Sequence, residues 1–254
     1  MAAVSKTLRG QRVLVTGGTG GIGAAIVERL AAEEAWPLIH YGRDSASAEA
    51  LFDRISGKGT LLRADLSGPD GPFLLWRQAE KSGRIHALIN NAGIRSEVSV
   101  DAEPDAWQAA WAREFQVNFF SAADLCKQAI QHFREHGGGK IVNMASRAGQ
   151  RGYAANAMPY GATKAALVNL TKSIAVGFGR EGVFAVAIAP GWVRTEMAEE
   201  FVAKNGKAAA VADIPIGEMT EPGEIAELVA FVLRPSQLSM NGATLDVNGG
   251  SYIR

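Results

Sequence analysis

Arg12-Val-Leu-Val-Thr16 is followed by Gly17-Gly-Thr-Gly-Gly-Ile-Gly23 and then by Ala-Ala-Ile26-Val27-Glu-Arg-Leu30-Ala31. The first run reads as a short buried strand. Ile26, Val27, Leu30 and Ala31 recur with helical period, so a helix follows the glycines. A glycine turn between a strand and a helix N-terminus makes an anion site. Its backbone N–H groups and the helix dipole face a phosphate, and the glycines let a pyrophosphate come close. The candidate contacts are Gly17, Thr19, Gly20, Gly21, Ile22 and Gly23. Glycine turns join many strands to helices, and the spacing Gly17-x-x-x-Gly21-x-Gly23 differs from the G-x-G-x-x-G fingerprint. Placement between the right two elements is what predicts a dinucleotide site.

The same alternation runs outward from this unit. Strands are predicted over 36–41, 60–64 (ending at Asp65-Leu66) and 85–90 (ending in Asn90-Asn91-Ala92-Gly93). Helical stretches at 45–55 and 70–82 separate them, and a long helix, open to a break, spans 105–136. Further strands are read at 140–145, 183–189 and 243–247, with a helix over 222–233. Short apolar strands alternating with helices imply right-handed βαβ units. The predicted fold is α/β: a single-domain, Rossmann-type, doubly wound parallel sheet of about seven strands, with helices on both faces. Ligands bind off the carboxyl ends of such strands. Gly17, Asp65, Asn91, Ser146 and Pro190 all fall there. Residues 195–221 read as a mobile lid. Its Met197, Phe201, Val202, Val211, Ile214 and Met219 either line an apolar substrate pocket or pack within the lid.

Three side chains in this frame can do chemistry together. Tyr160 and Lys164 are four apart and share one face of a helix continued by Leu167, Leu170, Ile174 and Phe178. An ammonium beside a phenol favours the phenolate, so a lowered tyrosine pKa is expected. Ser146 ends an apolar strand that can bring its hydroxyl to the same place. Tyr-x-x-x-Lys alone is weak, since a chain with four tyrosines holds it by chance often enough.

Bulk properties narrow the classes. The 254 residues carry 26 basic and 26 acidic side chains, which argues against nucleic acid or an anionic membrane bound by bulk charge. The single cysteine, Cys126, excludes an internal disulfide and fits a reducing, cytoplasmic compartment. The first eleven residues show no apolar leader, and no long apolar run predicts a membrane span. His132-Phe-Arg-Glu135-His136 fits a zinc-peptidase pattern. It abuts three glycines at a helix end, where histidines suit the dipole, so no metal is expected.

With these motifs in order, the chain resembles the short-chain dehydrogenase/reductase family along nearly its whole length. Thr16-Gly17, Gly21-Ile22-Gly23, Asn90-Asn91-Ala92-Gly93 and Pro190-Gly191 match its cofactor segments. The resemblance implies that Asp65 contacts adenine, with Leu66, Asn91, Ala92 and Gly93 nearby. It places Pro190, Gly191, Val193 and Thr195 beside the nicotinamide. It assigns Asn118, Ser146, Tyr160 and Lys164 as the catalytic residues, with Tyr160 and Lys164 also touching cofactor. Tyr160 would donate the proton, Ser146 would hold the carbonyl oxygen, and Lys164 would lower the tyrosine pKa and bind ribose. Asn118 would open its helix to a relay water. The interval from Ser146 to Tyr160 is one residue longer than the family pattern, and a bulge near Gly149 and Gly152 is expected to absorb it.

Within the family, the tail and lid look most like the 3-oxoacyl-carrier-protein reductases. The expected reaction is NADPH-dependent reduction of a 3-oxoacyl thioester, with another ketone or alcohol as the alternative. A catalytically silent dinucleotide-binding regulator is the remaining class. Arg95, Arg147 and Arg151 are read either as contacts to an anionic substrate or carrier, or as solvated loop charge. NADPH is preferred because Tyr41 or Gly42, not a carboxylate, ends the second strand, with Arg43 next. Asp44 would favour NADH if the loop turned it inward. A homotetramer is expected from the resemblance, from Ala162, Ala165 and Ala166, and from surplus aromatic residues before them.

Overall fold

The computed structural model describes residues 8–254, apart from the side chains of residues 197, 200 and 205. Most of the predicted leaderless segment and the Met197 side chain therefore lie outside the described residues. The first half runs β1 (Arg12–Val15), α1 (Gly21–Ala32), β2 (Trp36–Tyr41), α2 (Ser45–Arg54), β3 (Thr60–Arg63), α3 (Gly71–Glu80) and β4 (Ala87–Asn90). Next come α4 (Pro104–Phe115), a π-helical turn (Gln116–Phe120), α5 (Ser121–Glu135), β5 (Gly139–Met144) and the short α6 (Ala148–Arg151). The chain ends with α7 (Met158–Phe178), β6 (Val183–Pro190), α8 (Glu196–Asn205), α9 (Lys207–Val211), α10 (Pro222–Leu233) and β7 (Thr244–Val247).

The seven strands lie in the order β3-β2-β1-β4-β5-β6-β7, every pair parallel. Successive side chains on a strand face opposite sides, so the sheet carries two cores. Val13, Val15, Ile39, Ile89 and Val142 meet Ile26 and Leu30 of α1 and Ile225 and Val229 of α10. Leu14, Leu38, Leu88 and Ile141 meet Trp76 of α3 and Leu125 and Phe133 of α5. Chain direction across the sheet reverses between β1 and β4. There the loops part and leave a crevice at the carboxyl ends.

A buried polar chain fixes α7 against this crevice. Asn90 of β4 donates to Asn143 of β5 at 2.9 Å, and Asn143 donates to Thr171 of α7 at 2.9 Å. Each such bond contributes about 1 kcal/mol, and each would cost more if left unpartnered in the interior.

The lid has its own small core. Ala198, Ala210, Ile214 and Met219 are buried together, with Trp192, Phe201, Val202 and Val211 against them. Ordinary packing thus accounts for Phe201, Val202, Val211, Ile214 and Met219, and among these described residues only Phe201 also lines a cleft. A β-bridge between Val193 and Thr220 ties the two ends of the lid together. Among the described residues, no helix is long and apolar enough to cross a membrane.

Candidate active site

The glycine turn is held from behind by side chains that carry no charge. Gly17 N–H donates to His40 Nδ1 at 3.0 Å, and the other ring nitrogen lies 3.2 Å from the Ala64 carbonyl. That pairing fixes one neutral tautomer. Burial pushes the imidazole pKa down from 6.5 to about 4, against the pull of the Ala64 carbonyl and Asp65. Asn91 Nδ2 donates to the carbonyls of Thr16 and Gly17, both at 3.0 Å, and Thr16 Oγ1 accepts from the N–H groups of Asn91 and Ala92. A Cβ at Gly23 would stand 2.0 Å from the Gly17 oxygen, so helix and turn close only around glycine. The N-cap of α1 is Gly20, which brings no side chain, and its first turn holds no acid. An open helix N-terminus over a glycine floor fits a pyrophosphate.

Not every predicted cofactor residue lies on the cleft. Gly17, Gly20, Gly21, Ile22, Asn91, Ala92, Gly93, Pro190, Gly191, Val193 and Thr195 line a cleft of about 420 Å³, together with Ser146, Tyr160 and Lys164. Thr19, Gly23, Tyr41, Arg43, Asp65 and Leu66 do not. Gly23 is a packing position under the turn. Leu66 is buried at 6% exposure in the core on the α3 side, where its apolar side chain is more stable than in a cofactor groove.

Around the end of β2, Tyr41 pairs in register with Arg63, and Arg63 Nε donates to the Gly42 carbonyl at 3.3 Å. Arg43 is exposed and close enough to Asp65 to lower its pKa, after the larger effect of Ser67 hydrogen bonds. Asp44 does not turn inward: it is the N-cap of α2 and accepts from Ser47 N–H at 3.0 Å. An N-cap bond satisfies an otherwise orphaned donor, which holds the carboxylate there. Arg63 is a second basic side chain that the strand pattern hid.

Asn118 sits in the π-helical turn, where Ser121 N–H reaches back to the Gln116 carbonyl. The wide turn sets Asn118 inward at 1% exposure. Its Oδ1 accepts from Ile94 N–H at 2.8 Å, and its Nδ2 donates to the Ile94 carbonyl at 2.8 Å and to Thr163 Oγ1 at 3.2 Å. It therefore pins the loop after β4 to α7. Glu114, one turn earlier, was not singled out from sequence. It is fully buried, Oε2 accepts from Ser96 N–H at 3.0 Å, and Oε1 has no hydrogen-bond partner among the described residues. Burial raises its pKa, with Arg95 and Lys164 opposing.

Ser146, Tyr160 and Lys164 come together because α6 folds tightly onto α7. A Cβ at Gly149 would lie 2.5 Å from Ala165 N, an approach only glycine allows. Between Ser146 and Tyr160 the chain forms α6, which ends at Gly152 with φ 83°. Lys164 Nζ donates to the Met144 carbonyl at 2.8 Å and stands 5.6 Å from the Tyr160 ring centre. The expected lowering of the Tyr160 pKa is not found. Burial pushes the phenol up to about 12, and a hydrogen bond with Ser146 opposes it only in part. Desolvation penalises the phenolate, while the ammonium is aimed at Met144 instead. Burial also pulls Lys164 down to about 8, against Glu114.

Beyond Tyr160 the cleft opens into a second one of about 600 Å³, lined by Arg95, Arg147, Arg151, Tyr153, Trp192, Phe201 and Asp213. Tyr153 and Trp192 line both and were not read from sequence as site residues. The zinc-peptidase pattern is spent on packing. His132 Nε2 accepts from Ile85 N–H at 3.0 Å and its ring stacks on His136. Among the described residues, no group of three or more potential ligands could hold a metal ion.

A strand-turn-helix cradle, a tyrosine-lysine pair on α7 and a serine at the end of β5 define a dinucleotide-dependent oxidoreductase of the doubly wound class. A family model described as enoyl-(acyl carrier protein) reductase matches residues 17–252. The chain belongs to the short-chain dehydrogenase/reductase family. It is 32% identical to the 3-oxoacyl-(acyl-carrier-protein) reductase FabG of Vibrio cholerae, covering 97% of this chain and 99% of that one. It is 35% identical to the cis-4-hydroxycyclohexanecarboxylate dehydrogenase of Sinomonas cyclohexanicum, covering 93% and 94%. A crystal structure of a 3-oxoacyl (acyl-carrier-protein) reductase from Agrobacterium tumefaciens with NADP bound superposes with a TM-score of 0.88 at 28% identity, covering 97% and 96%.

Proposed function

We propose that this chain is an NADPH-dependent reductase that converts a ketone to a secondary alcohol, with a 3-oxoacyl thioester as its substrate. The observation that carries the reading is the meeting of Ser146, Tyr160 and Lys164 on the cleft that the glycine turn also lines. NADPH, when bound, supplies the hydride. Gly17, Gly20, Gly21 and Ile22 would hold its pyrophosphate, and Pro190, Gly191, Val193 and Thr195 would lie on its nicotinamide side. Arg43, with Arg63 bonded to the neighbouring Gly42 carbonyl, would hold the 2′-phosphate. Asp65 would contact the adenine.

Ser146 orients the carbonyl oxygen. Tyr160, a phenol at about 12, is protonated at neutral pH, which is the state a proton donor to that oxygen needs. Lys164 holds the ribose and keeps a positive charge near the developing alkoxide. Asn118 positions the Ile94 loop that forms the wall opposite. The thioester choice is supported by the FabG relative and by the NADP-bound reductase. The ring-alcohol dehydrogenase is the ground for the alternative, another ketone or secondary alcohol.

A homotetramer in the cytoplasm belongs to the same reading. Trp107, Trp111, Phe115 and Phe119 form a row of ring contacts along α4 and the π turn without entering the core, and Glu114 is the buried residue of α4. Phe120 is 50% exposed beside them. Light scattering at micromolar concentration checks it, and a stable monomer refutes it. The reaction is checked by NADPH absorbance with an acetoacetyl thioester, repeated with NADH. The reading expects turnover, faster with NADPH. No oxidation with any carbonyl compound contradicts it.

A further inference from the structure

Arg147 follows Ser146 directly and keeps only 4% of its surface. Solvated loop charge is therefore excluded as its reading. A guanidinium so enclosed costs several kcal/mol unless it is paired and hydrogen-bonded. Its partner is Asp213 of the lid, with Nη1 3.0 Å from Oδ2 and Nη2 3.4 Å from Oδ1. That carboxylate is shared. Arg151 Nη2 donates to the same Oδ2 at 2.8 Å, so one carboxylate serves two guanidiniums. Arg147 Nη1, shielded from solvent, meets Asp213 Oδ2 only as an ion pair, without the geometry of a hydrogen bond. Arg95 stands across the same wall. It pairs with Glu97 at 2.8 Å and lies over the Tyr153 ring, and its buried Nε also makes no hydrogen bond among the described residues. Arg95, Arg147, Tyr153 and Trp192 line both clefts, between Ser146 and the outer opening.

We propose that Arg147 and Arg95 form an anion subsite for substrate, and that, besides a thioester, the enzyme reduces small keto acids whose carboxylate lies a few bonds from the ketone carbon. The inference rests on the ketone-reductase reading above. Two guanidiniums sharing the Asp213 carboxylate, with the unbonded Arg95 Nε across from them, decide the charge of the ligand group. Their place beside Ser146 decides its distance from the carbonyl. A carrier-linked substrate would keep its phosphate beyond the whole pantetheine arm, outside this wall. A carboxylate accepts paired, charge-assisted bonds from guanidinium donors, and Tyr153 and Trp192 offer apolar surface to the carbon chain between. Asp213 holds Arg147 in place when no substrate anion is present. The carboxylate itself is unchanged in the reaction.

The test compares initial NADPH-dependent rates for short-chain keto acids, each beside its neutral methyl ester, and for an acetoacetyl thioester. The proposal expects at least one acid with a KM about tenfold or more below that of its ester at comparable kcat, the effect of one good charge-assisted contact. Arg147→Gln should bring the acid-to-ester KM ratio close to unity. Arg95→Gln, at a partly exposed position with less folding risk, should move that ratio the same way. Esters reduced as well as their acids by the wild type, or a ratio untouched by Arg95→Gln, would overturn the subsite while leaving the reductase reading intact. If acids, esters and thioester all fail to oxidise NADPH, the reductase reading itself falls and the subsite with it.

Discussion

At the cofactor end of the crevice, Gly17 leans on a neutral histidine, Asn91 clamps two carbonyls, and α1 starts on bare glycine. At the substrate end, Arg95, Arg147, Arg151 and Asp213 carry the wall, and a lid with a small core of its own closes over it. One end is backbone held rigid by uncharged groups. The other is long charged side chains on loops and on the short α6. Backbone donors suit a ligand part that never varies, such as a pyrophosphate. Side chains on loops can be exchanged without disturbing the sheet, which is how one fold serves many substrates.

The largest expected break in this comparison is chemical. Tyr160→Phe keeps the ring but removes the proton donor, so turnover should fall about 10²–10⁴-fold. Cofactor affinity, measured by fluorescence titration, should survive because the backbone end is untouched. Near-normal turnover would remove Tyr160 from the mechanism.

Acid should weaken the cofactor end. His40 in the fold has its pKa at about 4, below the ordinary 6.5, so the unfolded chain binds the proton more tightly. Stability is whole above that ordinary value and is lost as pH falls toward the folded one, by about 3 kcal/mol. Denaturant midpoints taken across this window should drop in the wild type and drop less in His40→Asn. Parallel losses in both proteins would show that other groups set the acid limit.

Arg43→Ala should sharpen the difference within the cofactor end itself. NADPH affinity should weaken by about 1.5–3 kcal/mol, the worth of a charged hydrogen bond, with NADH nearly unaffected. Equal losses for both cofactors would refute the phosphate contact. Gly149→Ala tests the joint between the two ends. The added Cβ meets the backbone of α7 at 2.5 Å and must push α6 outward. Overpacking of this kind costs about 1–3 kcal/mol, read as a lower Tm, and should raise KM for substrate more than for cofactor.

The two ends also differ in how far the sequence discloses them. Strand period, the glycine turn and the polar strand ends predict the parallel sheet and bring Gly17, Asn91, Ser146 and Pro190 to one crevice, because topology leaves little choice. Asn118 stood out through its poor helix propensity, and the π turn supplies the reason it can sit there. His40 was hidden inside an apolar strand, and its bond to Gly17 depends on a pairing across the sheet. Glu114 was not singled out, and Arg147 stayed open between an anion contact and solvated loop charge, because burial of a long charged side chain is decided by distant partners such as Ser96 and Asp213. The Tyr160 pKa was misjudged for a similar reason: spacing shows that a lysine is near, not where its ammonium points.

The central claim is that this crevice passes a hydride from NADPH to a ketone carbon. The direct measurement supplies NADPH deuterated at its transferable position, adds an acetoacetyl thioester and analyses the product by mass spectrometry. The account predicts a hydroxyacyl product carrying the label on its carbinol carbon. An unlabelled product, or no product from this or any other ketone, would contradict it.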